Sequence, residues 1–178
     1  MKIRYGFLAM LLFFAVNLFA LKVTYDYDRA FDFSKVKTYQ WIELKDSKVN
    51  SLTDAKIKQA VNDELARKGF TRVESNPSQY VAYQVGLQKE EQVNTMTTGG
   101  WGWGPWYGPG MGTMTATTST INIGTLVIDM VNPADKKLVF RSQGTDTLNP
   151  SSDPDKNYKK IQKAVGKILK NFPPKPKK

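Results

Sequence analysis

The sequence predicts an α+β two-layer sandwich: a mostly antiparallel sheet of about five or six strands with two helices packed on one face. Three observations carry that expectation. Four stretches, 22–27, 36–41, 79–88 and 124–145, alternate with a period of two and favour β-branched and aromatic residues. Two others, about 51–68 and 153–172, place apolar residues at helical spacing between clear start and stop signals. The hairpin over 124–147 has one wholly apolar face, which needs a covering layer.

The chain of 178 residues opens with Lys2 and Arg4, then Phe7–Ala20, apolar apart from Asn17. Fourteen residues fall short of the roughly 20 that span a bilayer as a helix. This is the anatomy of a signal peptide over residues 1–20, cleaved after Ala20. Leu18 is bulky for the third position before the cut, so the alternative is a membrane anchor made by the uncleaved segment. Cleavage leaves one domain, 21–174, large enough for a real core, and a basic tail, 175–178. The charge is uneven. The formal net charge is +10, yet residues 156–178 hold nine lysines and no acid, which leaves the body close to neutral.

There is no cysteine and no histidine. That removes disulfides, lipidation at a lipobox cysteine, Cys and His nucleophiles, histidine general bases and nearly every zinc site. No cofactor is expected. An enzyme would have to work with Asp, Glu, Lys, Ser, Thr or Tyr, and no paired motif for such chemistry is visible, so the expectation is a non-enzyme.

Within the domain, Val23, Tyr25 and Tyr27 alternate with Lys22, Thr24 and Asp26 as a first strand. Asp26, Asp28 and Asp32 then crowd a loop that lacks the glycine and distal glutamate of a calcium loop, so turn and capping duty is expected. Val36–Trp41 is a second strand, with Trp41 read as core. Ser51 or Thr53 caps a helix whose stripe is Ile57, Ala60, Val61 and Leu65, and Gly69 closes it with Phe70 folding back on Leu65. A strand over 79–88 has two fairly apolar faces.

Gly99–Gly112 holds three of the four tryptophans in a glycine and proline matrix, and reads as a long loop. Trp101, Trp103, Trp106 and Tyr107 are candidates for stacking on a glycan, sitting at a membrane interface or contacting an envelope protein. Single-stranded bases are discounted, because the segment has no Lys or Arg to hold phosphates. Thr113–Thr120 is strand-compatible and leads through Gly124, expected as a bulge, into the hairpin. There Leu126, Ile128, Met130, Leu138 and Phe140 share the apolar face, Asn132–Asp135 turns, and Asp129 meets Arg141 on a wet face. Asp153, Pro154 and Asp155 start the last helix. Its buried stripe is Tyr158, Ile161, Val165, Ile168 and Phe172, and its solvent side carries Lys159, Lys163, Lys167 and Lys170, a second candidate surface, for anionic lipid or polyanions. The expected core comprises Leu126, Ile128, Leu138, Phe140, Ile57, Val61, Ile161 and Ile168.

The pattern YDYDRAFDFSKVKTYQW, then GTLVIDMVNPADKKLVFRSQG, then a helix closing on Asn171-Phe-Pro-Pro, resembles a bacterial cell-envelope family, a domain of unknown function found largely in predicted lipoproteins. The resemblance spans residues 23–174. It implies an envelope address and supplies no catalytic residues. Leu21 stands where many such proteins carry a lipidated cysteine, and Phe140 where tryptophan is common. The departure at Leu21 argues against a lipid anchor and favours a soluble periplasmic or secreted form. The functional expectation is a binding or interaction module; the alternative is an anionic-surface binder through the lysine helix. The oligomeric state is not legible in the sequence.

Overall fold

The computed structural model describes residues 21–43, 49–98 and 113–175. Outside them lie the stretch read as a signal peptide (1–20), the tail residues 176–178 and the aromatic segment 99–112. The strands are β1 (Lys22–Tyr27), β2 (Thr38–Trp41), β3 (Thr71–Arg72), β4 (Gln79–Thr98), β5 (Thr113–Val131) and β6 (Leu138–Thr147). They form one sheet in the order β1-β6-β5-β4-β2-β3. The pairings from β1 to β4 are antiparallel, while β2 runs parallel to both β4 and β3. Helices α1 (Ser51–Arg67) and α2 (Pro154–Ile168) close the second layer, as the sequence predicts.

Each helix ends where local chemistry directs. Asn50 caps α1 by accepting the Thr53 N–H at 2.9 Å, one residue ahead of the expected Ser51. At the other end Gly69 sits at φ 85°, its N–H bonds Ala66 O at 2.9 Å, and Phe70 N–H bonds Leu65 O at 3.0 Å. That is a complete Schellman closure, and only glycine enters the left-handed region there without cost. In α2, Asp153 accepts the Asp155 N–H at 2.9 Å ahead of Pro154. Ile57, Val61 and Leu65 from α1 and Val165 and Ile168 from α2 press on Val81, Ile128, Met130 and Phe140 of the sheet. Phe172 lies at the centre of an aromatic cluster, 4.9 Å from Phe140, 5.2 Å from Phe70 and 6.2 Å from Phe33 between ring centroids. Helix α2 comes close because β6 has a glycine beneath it: a Cβ on Gly144 would stand 2.7 Å from Ile168 Cγ1.

Three expectations about the sheet need correction. Leu138 is 44% exposed, while Val139 is 2% exposed and in the core. Met130 pairs with Phe140 and Val131 with Leu138, so Val139 is an extra residue, and that irregularity reverses the side-chain alternation at the start of β6. Leu126 and Ile161 pack on the core only partly buried. Gly124 is not a bulge: the β4–β5 register runs unbroken from Tyr80↔Val131 to Thr98↔Thr113, with Gly124 opposite Leu87. Strand β4 is about twice the expected length, reaching Thr98 rather than residue 88, whereas β5 starts at Thr113, where the strand-compatible run begins.

Candidate functional site

The lysine surface is built by the packing of α2. Val165 and Ile168 are buried, and Ser142 Oγ on β6 donates to the Ile168 carbonyl at 2.7 Å, which fixes the rotation of the helix on the sheet. Lys159, Lys163, Lys167 and Lys170 fall at i, i+4, i+8 and i+11 and all are exposed. At 1.5 Å rise per residue the stripe is about 16 Å long. Among the described residues none of the four has an ion-pair partner, whereas Lys156 lies 4.0 Å from Asp153 and Lys160 donates to the Asn149 carbonyl. Four uncompensated ammonium groups in one row produce a positive potential that attracts anions and is screened by salt.

The aromatic candidates Trp101, Trp103, Trp106 and Tyr107 lie outside the described residues. Their anchor points do not. Strands β4 and β5 carry the chain out to Thr98 and Thr113, which are directly paired. Paired Cα atoms in an antiparallel ladder stand about 4.5–5.5 Å apart, so residues 99–112 leave and re-enter at one point. Strand β6 stops opposite Ile123 and β2 reaches only Val81, so this outer part of the hairpin is a two-stranded arm. The anchor points of the aromatic segment and the lysine stripe are thus on separate elements.

Two polar clusters occupy the body. On the helix-free face, Arg141 meets Asp129 with Nε and Nη2 each 2.7 Å from a carboxylate oxygen. The expected cross-strand pair forms; Arg141 is exposed while Asp129 beneath it is 5% exposed, and the carboxylate's hydrogen bonds hold the Arg141 guanidinium above its usual range. With both carboxylate oxygens engaged, Asp129 is arranged as a structural partner rather than a general base. Beside α1, Tyr83 OH donates to Asp54 at 2.5 Å, and Lys58 bridges Asp54 and Glu43 at 3.1 and 3.0 Å. Desolvation lifts the Asp54 carboxyl, but the Tyr83 and Lys58 bonds outweigh it and hold it below its ordinary value.

An open cleft of ≈ 520 Å³ lies between the end of α1 and β3, lined by Tyr39, Asn62, Asp63, Phe70 and Arg72 among others. Asn62 Oδ1 accepts from Tyr39 OH and Trp41 Nε1, each at 2.9 Å, and Asp63 accepts from Gln59 at 2.8 Å. Burial pushes the Tyr39 phenol up, so it stays a donor at neutral pH. Sequence reading missed this cleft and the Tyr83–Asp54 contact, because their hydrogen bonds join residues 21 to 29 positions apart with no local pattern. The acidic loop behaves as expected: Asp28 accepts Ala30 N–H at 2.8 Å and Asp32 accepts Ser34 N–H at 3.1 Å. No helix among the described residues is long and apolar enough to cross a membrane.

Comparison with known proteins gives a family and a fold. The family model described as Domain of unknown function (DUF4136) matches residues 23–174. No curated protein matches the chain. Among solved structures, a PDZ domain protein from Parabacteroides distasonis ATCC 8503 is similar at TM-score 0.55 and 14% identity over 87% of this chain. This chain spans 35% of that protein's length. The PelC dodecamer from Paraburkholderia phytofirmans is similar at TM-score 0.51 and 11% identity, covering 84% of this chain and 95% of that one. At such identities the likeness is one of fold.

Proposed function

The chain belongs to the DUF4136 family, a domain of unknown function, and we propose that it is a non-catalytic interaction module of the cell envelope, exported to the periplasm or beyond. The proposed contact element is the aromatic segment at the tip of the β4–β5 arm. One observation supports this above the others: the ladder reaches Thr98↔Thr113, so the two points where the segment with Trp101, Trp103, Trp106 and Tyr107 joins the sheet stand together at the far end of the arm. Tryptophan and tyrosine offer large contact area with few rotatable bonds, which suits a glycan, lipid-interface or protein surface. The export reading rests on the signal-like residues 1–20.

The test replaces residues 99–112 with an Asn-Gly turn, which suits a two-residue hairpin. Binding is measured to isolated envelope fractions and to vesicles with and without anionic lipid, at low and high salt. The expected result is binding that is lost with the segment and is insensitive to salt. A second reading has its own observation, the row of four exposed lysines on α2 and the turn that follows it, none ion-paired among the described residues. Under it, binding survives loss of the segment, needs anionic lipid, falls with salt and is lost in a variant with Lys159, Lys163, Lys167 and Lys170 changed to glutamine.

A further inference from the structure

The arm has two open edges. The last contact of β5 with the body is the Asn122 carbonyl, which accepts the Leu148 N–H at 2.7 Å. Strand β2 pairs with β4 only over Gln79–Val81. Nine residue pairs, Glu90↔Ile121 to Thr98↔Thr113, therefore form a ribbon about 30 Å long with no third strand among the described residues on either side.

An open edge is a row of N–H and C=O groups that a further strand can complete, and proteins that stay monomeric guard such edges with lysine, proline or a bulge. Here such guards are confined to the base, where Glu90 and Glu91 open the β4 side of the ribbon, and none follows beyond them. Residues 92–98 and 113–121 contain no charge and no proline, and the ladder between them has no register shift. The chain is 24% charged overall, yet Gln92–Ile128 has no charged residue at all.

We propose that this ribbon is a self-assembly surface, on which the open β4 edge of one copy pairs with the open β5 edge of the next. Two features favour a second copy over a foreign strand. Both edges are open, whereas a single added strand would need only one. Residues 156–178, with nine lysines and no acid, repel their copies, and the ribbon beyond Glu91, which carries no charge, is where two copies can meet without opposing like charges. Pairing of unlike edges is head-to-tail, so it closes a ring when the rotation between copies closes. The inference stands apart from what the aromatic segment binds, since the edges are main chain.

The experiment uses the full chain in sedimentation velocity over roughly a hundredfold concentration range. The expected result is a mass that rises with concentration above the monomer. Thr95→Lys with Thr117→Lys, one charge per strand, should return the protein to monomer at every concentration. Gln84→Lys with Gln143→Lys adds the same charge on the helix-free face of the body and should leave assembly intact. Because the chain lacks cysteine, a second measurement needs no background correction. Single cysteines along 91–97 in one preparation and 115–121 in another are mixed and oxidised. Disulfide-linked pairs of a β4 cysteine with a β5 cysteine are expected. A protein that is monomeric throughout overturns the proposal. So does an assembly that survives the arm lysines and forms no cross-link through the arm. Loss of binding after changing the aromatic residues, with assembly unchanged, would bear on the ligand surface alone.

Discussion

Arg141→Met tests whether the pair on the helix-free face is structural. The substitution keeps the aliphatic stem and removes the guanidinium, leaving Asp129, whose side chain is 7% exposed, without its bidentate partner. Breaking a fully buried pair costs about 3–5 kcal/mol, because the remaining charge is stranded in low dielectric. The Arg141 side chain is itself 47% exposed, so water reaches the freed carboxylate and the cost falls to about 2–3 kcal/mol. For a domain of this size that lowers Tm by about 5–10 °C. The assay is urea unfolding followed by tryptophan fluorescence and far-UV circular dichroism, with the m-value held as a check that the native state is unchanged. The double variant Asp129→Leu with Arg141→Met removes both charges and should be clearly more stable than Arg141→Met alone. A loss below about 0.5 kcal/mol for the single change would refute the reasoning, placing the pair among surface ion pairs of negligible weight.

Two glycine substitutions should destabilise for opposite reasons. Gly144→Ala puts a methyl 2.7 Å from buried Ile168 and should cost about 1–3 kcal/mol by overpacking, visible as a lower denaturation midpoint. Gly69→Ala has nothing within 4 Å but sits at φ 85°, and should cost about 1 kcal/mol through backbone conformation alone. A methyl made harmless by a smaller neighbour separates the two: Ile168→Val should recover part of the Gly144→Ala loss and none of the Gly69→Ala loss. For pH, the Asp54 carboxyl is held low in the folded state although burial opposes this, so its contribution is present above the ordinary carboxylate value of about 3.9 and fades as pH falls below it. Tyr83→Phe removes one of the bonds that hold it low and should flatten the loss of stability as pH falls below about 4, measured by thermal unfolding at stepped pH.

What the sequence made legible is what has a local cause. The closure of α1 at Gly69–Phe70, the start of α2 at Asp153–Pro154 and the turn at Asn132–Asp135 each follow from residues within one turn of one another. There Asn132 accepts the Ala134 N–H and Asp135 the Lys137 N–H, each at 3.1 Å. The packing stripes were legible too, because burial imposes periodicity on the side chains. The misplacement of Leu138 has a different origin. An extra residue at Val139 reverses the alternation, and its position is set by pairing with β5 and by the Asp28 N–H bonding the Val139 carbonyl at 2.9 Å, contacts that no local spacing encodes.

The β4 half of the arm, beyond residue 88, escaped sequence reading for a reason that bears on its role. Strand recognition rests on one buried face, and the outer ribbon has no helix layer or third strand to bury a face against among the described residues. Its threonine-rich strands carry β-propensity without an apolar stripe. A two-stranded hairpin in water is marginally stable at best. This one is held by the body only at its base, where β6 and the Leu148 N–H end. Among the residues whose burial is described, those of β4 and β5 that are buried lie between Gln79 and Ala82 and between Gly124 and Met130, on the body side of the arm. What such an extension can add is reach, main-chain hydrogen-bonding groups and the segment at its tip, and all three serve contact with another surface.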